Sequence, residues 1–197
     1  MVFPLISNAS ELDNKIEKIQ KAYEKIRDMK GSFTQKNTIK DLNKTDTYRG
    51  EFFIKQPLKM KWIYKGKSAQ DIFINNNMVL IYKKGEKQAY KGKFDKTTYG
   101  QTPIALLGGF GNIRQEFNIS GKEDSLLLKP KSSMGSITSI TIMLSGDDFP
   151  IKSFTIEDGR SNVIEITLKD VKTNTGMKDS LFEFSLPKDV NIYEYNP

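Results

Sequence analysis

The segment from Gly50 to Tyr64, GEFFIKQPLKMKWIY, limits what this chain can fold into more than any other. It reads as two amphipathic strands with Pro57 at the corner between them. On the second strand Met60, Trp62 and Tyr64 point one way, while Lys59, Lys61 and Lys65 face mostly the other. A period of two with lysines outside predicts a sheet with one wet face and one large aromatic face. Function turns on what covers the aromatic face. If protein fills it, the domain is an ordinary β-fold. If protein only lids it, the face is a binding site for something apolar.

At 197 residues the chain is long enough for one sizeable core, and a single domain over 1–197 is expected. The net charge of +7 favours anionic surfaces at low salt. The lysines mostly alternate with apolar residues, which fits solvated outer faces better than a nucleic-acid groove, and no nucleic-acid motif is present. The absence of cysteine excludes disulfides, zinc–thiolate sites, a thiol nucleophile and a lipid-modified cysteine in this sequence. There is also no histidine, which removes the commonest general base and metal ligand.

Acidic pairs occur at Asp147-Asp148 and Glu157-Asp158, in turns where backbone geometry already explains them. The glycines at 108, 109 and 111 do not have phosphate-loop spacing. Neither an enzyme activity nor a metal or other cofactor is therefore expected.

Ser10-Glu11-Leu12-Asp13 fits a helix-start capping box. Leu12, Ile16, Ile19, Tyr23 and Ile26 then recur at steps of three and four, predicting an amphipathic helix that ends near Lys30-Gly31. From Ser32 the period becomes two, with twelve candidate strands, among them 113–120 and 181–185. Asn75-Asn76-Asn77, Lys84-Gly85, Ser120-Gly121 and Asp158-Gly159 mark turns of an antiparallel meander. Asn37 to Asp46 reads as a long polar hairpin tip. Thr102-Pro103-Ile104-Ala105-Leu106-Leu107-Gly108 has the order of a short, almost wholly apolar helix. No apolar run approaches the ~18 residues of a membrane span. Val2 to Ile6 followed by Ser7-Asn8-Ala9 reads either as the tail of a truncated secretory signal or as a short unstructured or strand-like terminus.

A long twisted antiparallel sheet curls, and its concave side needs a partner. Two helices with apolar faces would close that mouth, giving a half-barrel with a helical lid. Phe52, Ile54, Met60, Trp62, Tyr64, Ile72, Leu80 and Tyr82 are the candidate inner face. Periodicity alone leaves open whether that interior is packed or vacant.

Several of these segments, in this order, resemble the outer-membrane lipoprotein carrier family. They are the helix running into Gly31-Ser32-Phe33-Thr34-Gln35, the Gly50-to-Pro57 and Met60-Lys61-Trp62 strands, and the hairpin Ile72 to Tyr82. Thr102 to Leu107 and the ending Phe182-Glu183-Phe184-Ser185-Leu186-Pro187-Lys188-Asp189-Val190 complete the set. The resemblance implies an unclosed β-barrel lidded by an N-terminal and a short central helix, acting in the periplasm as a monomer. It implies a carrier that takes lipid-modified lipoproteins from an ATP-driven inner-membrane transporter. The acyl chains are shielded in the cavity, and the cargo is passed to an outer-membrane lipoprotein acceptor.

On that reading the eight inner-face residues line the acyl-chain cavity, while Ile16, Ile19, Tyr23, Leu106 and Leu107 are lid contacts. Gln56 stands where the family typically carries an arginine that latches the lid, so a weaker latch, or one made by other residues, is expected. The alternative is a regulator on the same half-barrel that senses lipid or an exposed peptide.

Overall fold

The computed structural model describes residues 7–66, 69–94, 113–122, 124–147 and 149–194. Helix α1 (Ser7–Lys25) is followed by β1 (Asp28–Ile39), β2 (Lys44–Lys55), β3 (Lys59–Lys65), β4 (Gln70–Asn75), β5 (Met78–Lys83) and β6 (Gln88–Lys93). A single turn, α2 (Ile113–Glu116), leads into β7 (Phe117–Lys122), β8 (Ser125–Pro130), β9 (Ile137–Leu144), β10 (Ile151–Asp158), β11 (Val163–Thr173) and β12 (Asn191–Glu194).

All twelve strands form one sheet in the order β12-β6-β5-β4-β3-β2-β1-β11-β10-β9-β8-β7. Neighbours are antiparallel except β12, which adds to β6 in parallel. The order has two ends, so the barrel is unclosed. The short central helix expected over Thr102–Leu107 lies outside the described residues.

The β1–β2 hairpin is the spine of the sheet, joining the meander β2–β6 to the meander β7–β11. Its strands pair from Asp28↔Lys55 to Ile39↔Lys44. The polar stretch Asn37–Asp46 is therefore mostly ladder, with a tip of only Lys40 to Asn43. Asn43 closes that turn in the left-handed region at φ 45°.

Three sequence expectations are corrected. The helix starts at Ser7 and stops at Lys25, so Ser10 is not its cap and Gly31 is not its stop. Gly31 lies in β1 because Phe52 sits across from it: a Cβ there would come within 2.9 Å of both the Phe52 ring and the Lys169 carbonyl. The strand expected over 113–120 begins with a helical turn. Ile113 and Phe117 are both buried and four residues apart, a one-turn spacing that precedes the alternation. The strand expected at 181–185 is instead a 3₁₀ turn, Asp179–Phe182, and an unpaired extended stretch. Alternation there does not come from a backbone ladder: Phe182 is buried while Phe184 is exposed. The sequence reading did not find β12.

Two apolar layers result. The larger lies on the inner face, between the sheet and α1. The smaller lies on the outer face, where Phe73, Leu80 and Ala89 are covered by the C-terminal segment through Leu186 and Val190.

Candidate functional site

The floor of the inner face is built from four aromatic rings. Phe33 stacks on Trp62 with centroids 4.0 Å apart, Phe52 lies on Trp62 at 5.3 Å, and Tyr64 meets Phe33 edge-on at 5.2 Å. Strand register explains the cluster: Phe52 is opposite Trp62, Ile54 opposite Met60, and Trp62 opposite Ile72. Directly opposed residues share a face. Gly50 makes room for the stack, since a Cβ there would stand 1.9 Å from the Ile63 carbonyl oxygen and 2.6 Å from the Phe33 ring.

Of the predicted wall, Phe52, Ile54, Met60, Trp62, Tyr64 and Ile72 are brought together in this one buried cluster. Leu80 and Tyr82 are not. They lie on the outer face with Phe73 and Ala89, while Val79 and Ile81 take the inner positions of β5. The cause is the tight turn at Asn76-Asn77, with Asn76 at φ 56°, which pairs Asn75 with Met78. That register puts Ile74 opposite Val79 and Ile72 opposite Ile81. Counting one residue off reverses every side chain of a strand.

Polar groups in the floor are few. The Tyr64 hydroxyl donates to Gln35 Oε1 at 2.8 Å, and Gln35 Nε2 donates to Asn37 Oδ1 at 2.8 Å. Burial pushes the Tyr64 phenol up to about 12, against the opposing pull of the Trp62 N–H and Gln35. The indole Nε1 of Trp62 itself makes no hydrogen bond of proper geometry among the described residues. Burial likewise raises the Tyr23 phenol well above its ordinary value. Both phenols stay neutral near neutral pH, as an apolar site requires.

Helix α1 covers this layer. Ile16, Ile19, Tyr23 and Ile26 are buried against it, as their spacing predicted. Leu12 reaches Gly121 on β7, and the Tyr23 ring stands 5.8 Å from Phe149 in the β9–β10 loop. Arg114 of α2 pairs with Asp13 of α1 at 2.6 Å. The predicted lid residues Leu106 and Leu107 lie outside the described residues.

Gln56 precedes a cis Pro57, and its backbone N–H donates to the Arg27 carbonyl at 2.9 Å. Among the described residues its side chain makes no hydrogen bond.

The junction between α1 and β1 is held by residues the sequence reading missed. Asn174 accepts from the Arg27 N–H at 2.8 Å and donates through Nδ2 to the Lys25 carbonyl at 3.1 Å. The buried Asp28 carboxylate accepts from the N–H and hydroxyl of Thr175 and from the N–H groups of Gly176 and Met177, at 2.6 to 3.2 Å. Burial pushes that carboxyl up, but the four donors outweigh it and leave it below the ordinary aspartate value. Lys55 and Lys59 continue the clamp through Asp179, whose carboxyl they lower to about 2. These partners lie more than a hundred residues apart in the chain, and no local pattern links them.

No cluster of three or more metal-ligating side chains is found among the described residues. The arrangement defines a class: an open antiparallel half-barrel whose aromatic inner face is capped by an amphipathic helix. The match to known proteins is more specific. Residues 24–185 match the family model described as outer membrane lipoprotein carrier protein LolA. The chain belongs to this family.

Among curated relatives, the outer-membrane lipoprotein carrier protein of Francisella tularensis subsp. novicida is 27% identical over 192 residues, covering 96% of this chain and 90% of its own length. That of Halorhodospira halophila is 23% identical over 184 residues, 92% of this chain and 86% of its own. Solved structures carry the same fold. An uncharacterized conserved protein from Thermus thermophilus aligns with a TM-score of 0.57 at 12% identity, over 95% of this chain and 99% of its own. A LolA superfamily protein from Nitrosomonas europaea aligns at 0.54 and 11% identity, over 88% of this chain and 97% of its own.

Proposed function

We propose that this protein is a periplasmic carrier that shields lipoprotein acyl chains on its inner face. It takes lipoproteins from an ATP-driven inner-membrane transporter and delivers them to an outer-membrane acceptor, with no chemical step. One observation carries the reading: a continuous aromatic and aliphatic face capped by the amphipathic helix α1, in a member of the lipoprotein carrier family. Phe52, Ile54, Met60, Trp62, Tyr64 and Ile72 form the wall, and Ile16, Ile19 and Tyr23 the lid contacts.

The energetics suit a carrier. Each buried CH₂ contributes about 0.8 kcal/mol, so part of one acyl chain gives tight binding without a fixed polar contact. Separating α1 from the sheet opposes loading and so limits net affinity, which allows release. A glutamine at position 56, with no charge, fits a lid held by other contacts, and the exposed Asp13–Arg114 pair is one of them.

Native mass spectrometry with a triacylated lipoprotein and its delipidated form tests the proposal. A complex with the acylated form alone is expected. Equal binding to both forms, or none to either, would return the aromatic face to a structural core and favour the sensing regulator.

A further inference from the structure

Two cavities flank the β9–β10 loop. The larger, about 650 Å³ and partly open to solvent, lies where the sheet splits. Pairing of β10 with β11 ends at Ser153↔Thr167, yet β11 continues to Thr173. The floor of this break includes Phe149, Ile151 and Leu168, all members of the inner-face cluster. The smaller, about 390 Å³, separates the loop from Lys15, Lys18 and Ile19 of α1. Leu144, Ser145 and Gly146 line both. The Tyr23–Phe149 ring contact joins this loop to the lid helix, so a shift of α1 disturbs the wall between cavity and core.

Resting on the carrier reading above, we infer that this split is the portal through which the acylated N-terminus of a cargo protein enters. The acyl chains pass over Phe149, Ile151 and Leu168 into the inner face, and the acylated residue with its following peptide stays at the rim. The rim chemistry selects this occupant. Lys152 and Lys169 are balanced there by Asp147 and Asp170. A rim of both signs suits the uncharged amides and esters of an acylated peptide, whereas it offers a phosphate head no net positive charge. The volume lies within the ~300–1,000 Å³ usual for a ligand pocket.

Gly146 gives a clean test, because a Cβ built on it meets nothing within 4 Å. Gly146 lines the mouth, so Gly146→Trp adds an indole at its edge without a clash at its root. Gly85, in the distant β5–β6 turn, is equally open and gives the control Gly85→Trp. The readout is binding of a synthetic triacylated lipopeptide and, separately, of a phosphatidylglycerol, with circular dichroism and thermal melting to confirm folding.

Gly146→Trp is expected to weaken lipopeptide binding by about tenfold or more, the effect of displacing a few buried CH₂ groups. Gly85→Trp is expected to bind like the parent. Unchanged binding by Gly146→Trp overturns the portal and leaves the carrier reading standing. A parent protein that binds no lipopeptide overturns both. Phosphatidylglycerol bound by the parent as tightly as the lipopeptide, and lost equally in Gly146→Trp, overturns the assignment to an acylated peptide.

Discussion

Two kinds of single residue hold the site, and each gives a prediction. Gly50 lets Phe33 stack on Trp62, and its absent Cβ would fall 1.9 Å from a backbone oxygen. Gly50→Ala is expected to destabilise the fold by about 3 kcal/mol, measured by urea unfolding, because the backbone of β3 cannot yield as a side chain would. Asp28 acts through charge. An unfolded aspartate titrates near about 3.9, and the folded one titrates lower, so the folded state binds fewer protons. Its stabilisation is full above the unfolded value and drains as pH falls through the folded one. Asp28→Asn is expected to lose about 2 kcal/mol at neutral pH and to show a flatter loss of stability below about pH 4.

The inward placement of Met60, Trp62 and Tyr64 was legible because alternation with lysine fixes their face. Leu80 and Tyr82 were misplaced because face depends on the length of the Asn76-Asn77 turn, which the sequence reading did not count. Asp28 was illegible because its donors lie 147 to 149 residues away.

Among the elements, the strands were read well because a half-buried sheet writes its period into the chain. The C-terminal segment was not. Phe182 is fully buried and Phe184 lies 5.6 Å from Phe73, so this segment straps the outer face of β3 and β4 before β12 joins β6. Pro187 and the salt bridges of Asp179 and Asp189 suit a strap held by side chains rather than by a ladder. Phe182→Ala is expected to cost about 4 kcal/mol in stability. Hydrogen exchange should quicken first in β12 and in residues 174–177, whose contacts the strap aligns. Uniform quickening across the sheet would show instead that the strap is one cooperative unit with the core. The helix boundary failed for a related reason: Lys25 ends α1 because Asn174 receives the chain there, a partner only the fold supplies.

Across the whole molecule, charge is divided unevenly. Residues 55 to 93 hold ten lysines against two acidic residues, Asp71 and Glu86, which exceeds the net charge of +7 for the entire chain. Most of this excess lies on β3–β6 and their turns, at one end of the sheet, while the rest of the sequence is close to neutral. Several of these lysines are paired, Lys65 with Glu51, Lys84 with Asp71 and Lys87 with Asp189, so their fields partly cancel. Lys91 and Lys93 are exposed on β6 and make no ion pair among the described residues. They should therefore dominate long-range attraction to anionic surfaces. The double change Lys91→Glu, Lys93→Glu is expected to abolish most adsorption to phosphatidylglycerol vesicles at low salt. Reversing Lys152 and Lys169, on β10 and β11 beyond the β1–β2 hairpin, should reduce it much less. Adsorption of the parent should fall steeply between about 10 and 150 mM salt, as the screening length shrinks from roughly 30 to 8 Å. Equal losses from the two pairs would mean that net charge alone, rather than its placement at one end, governs the encounter.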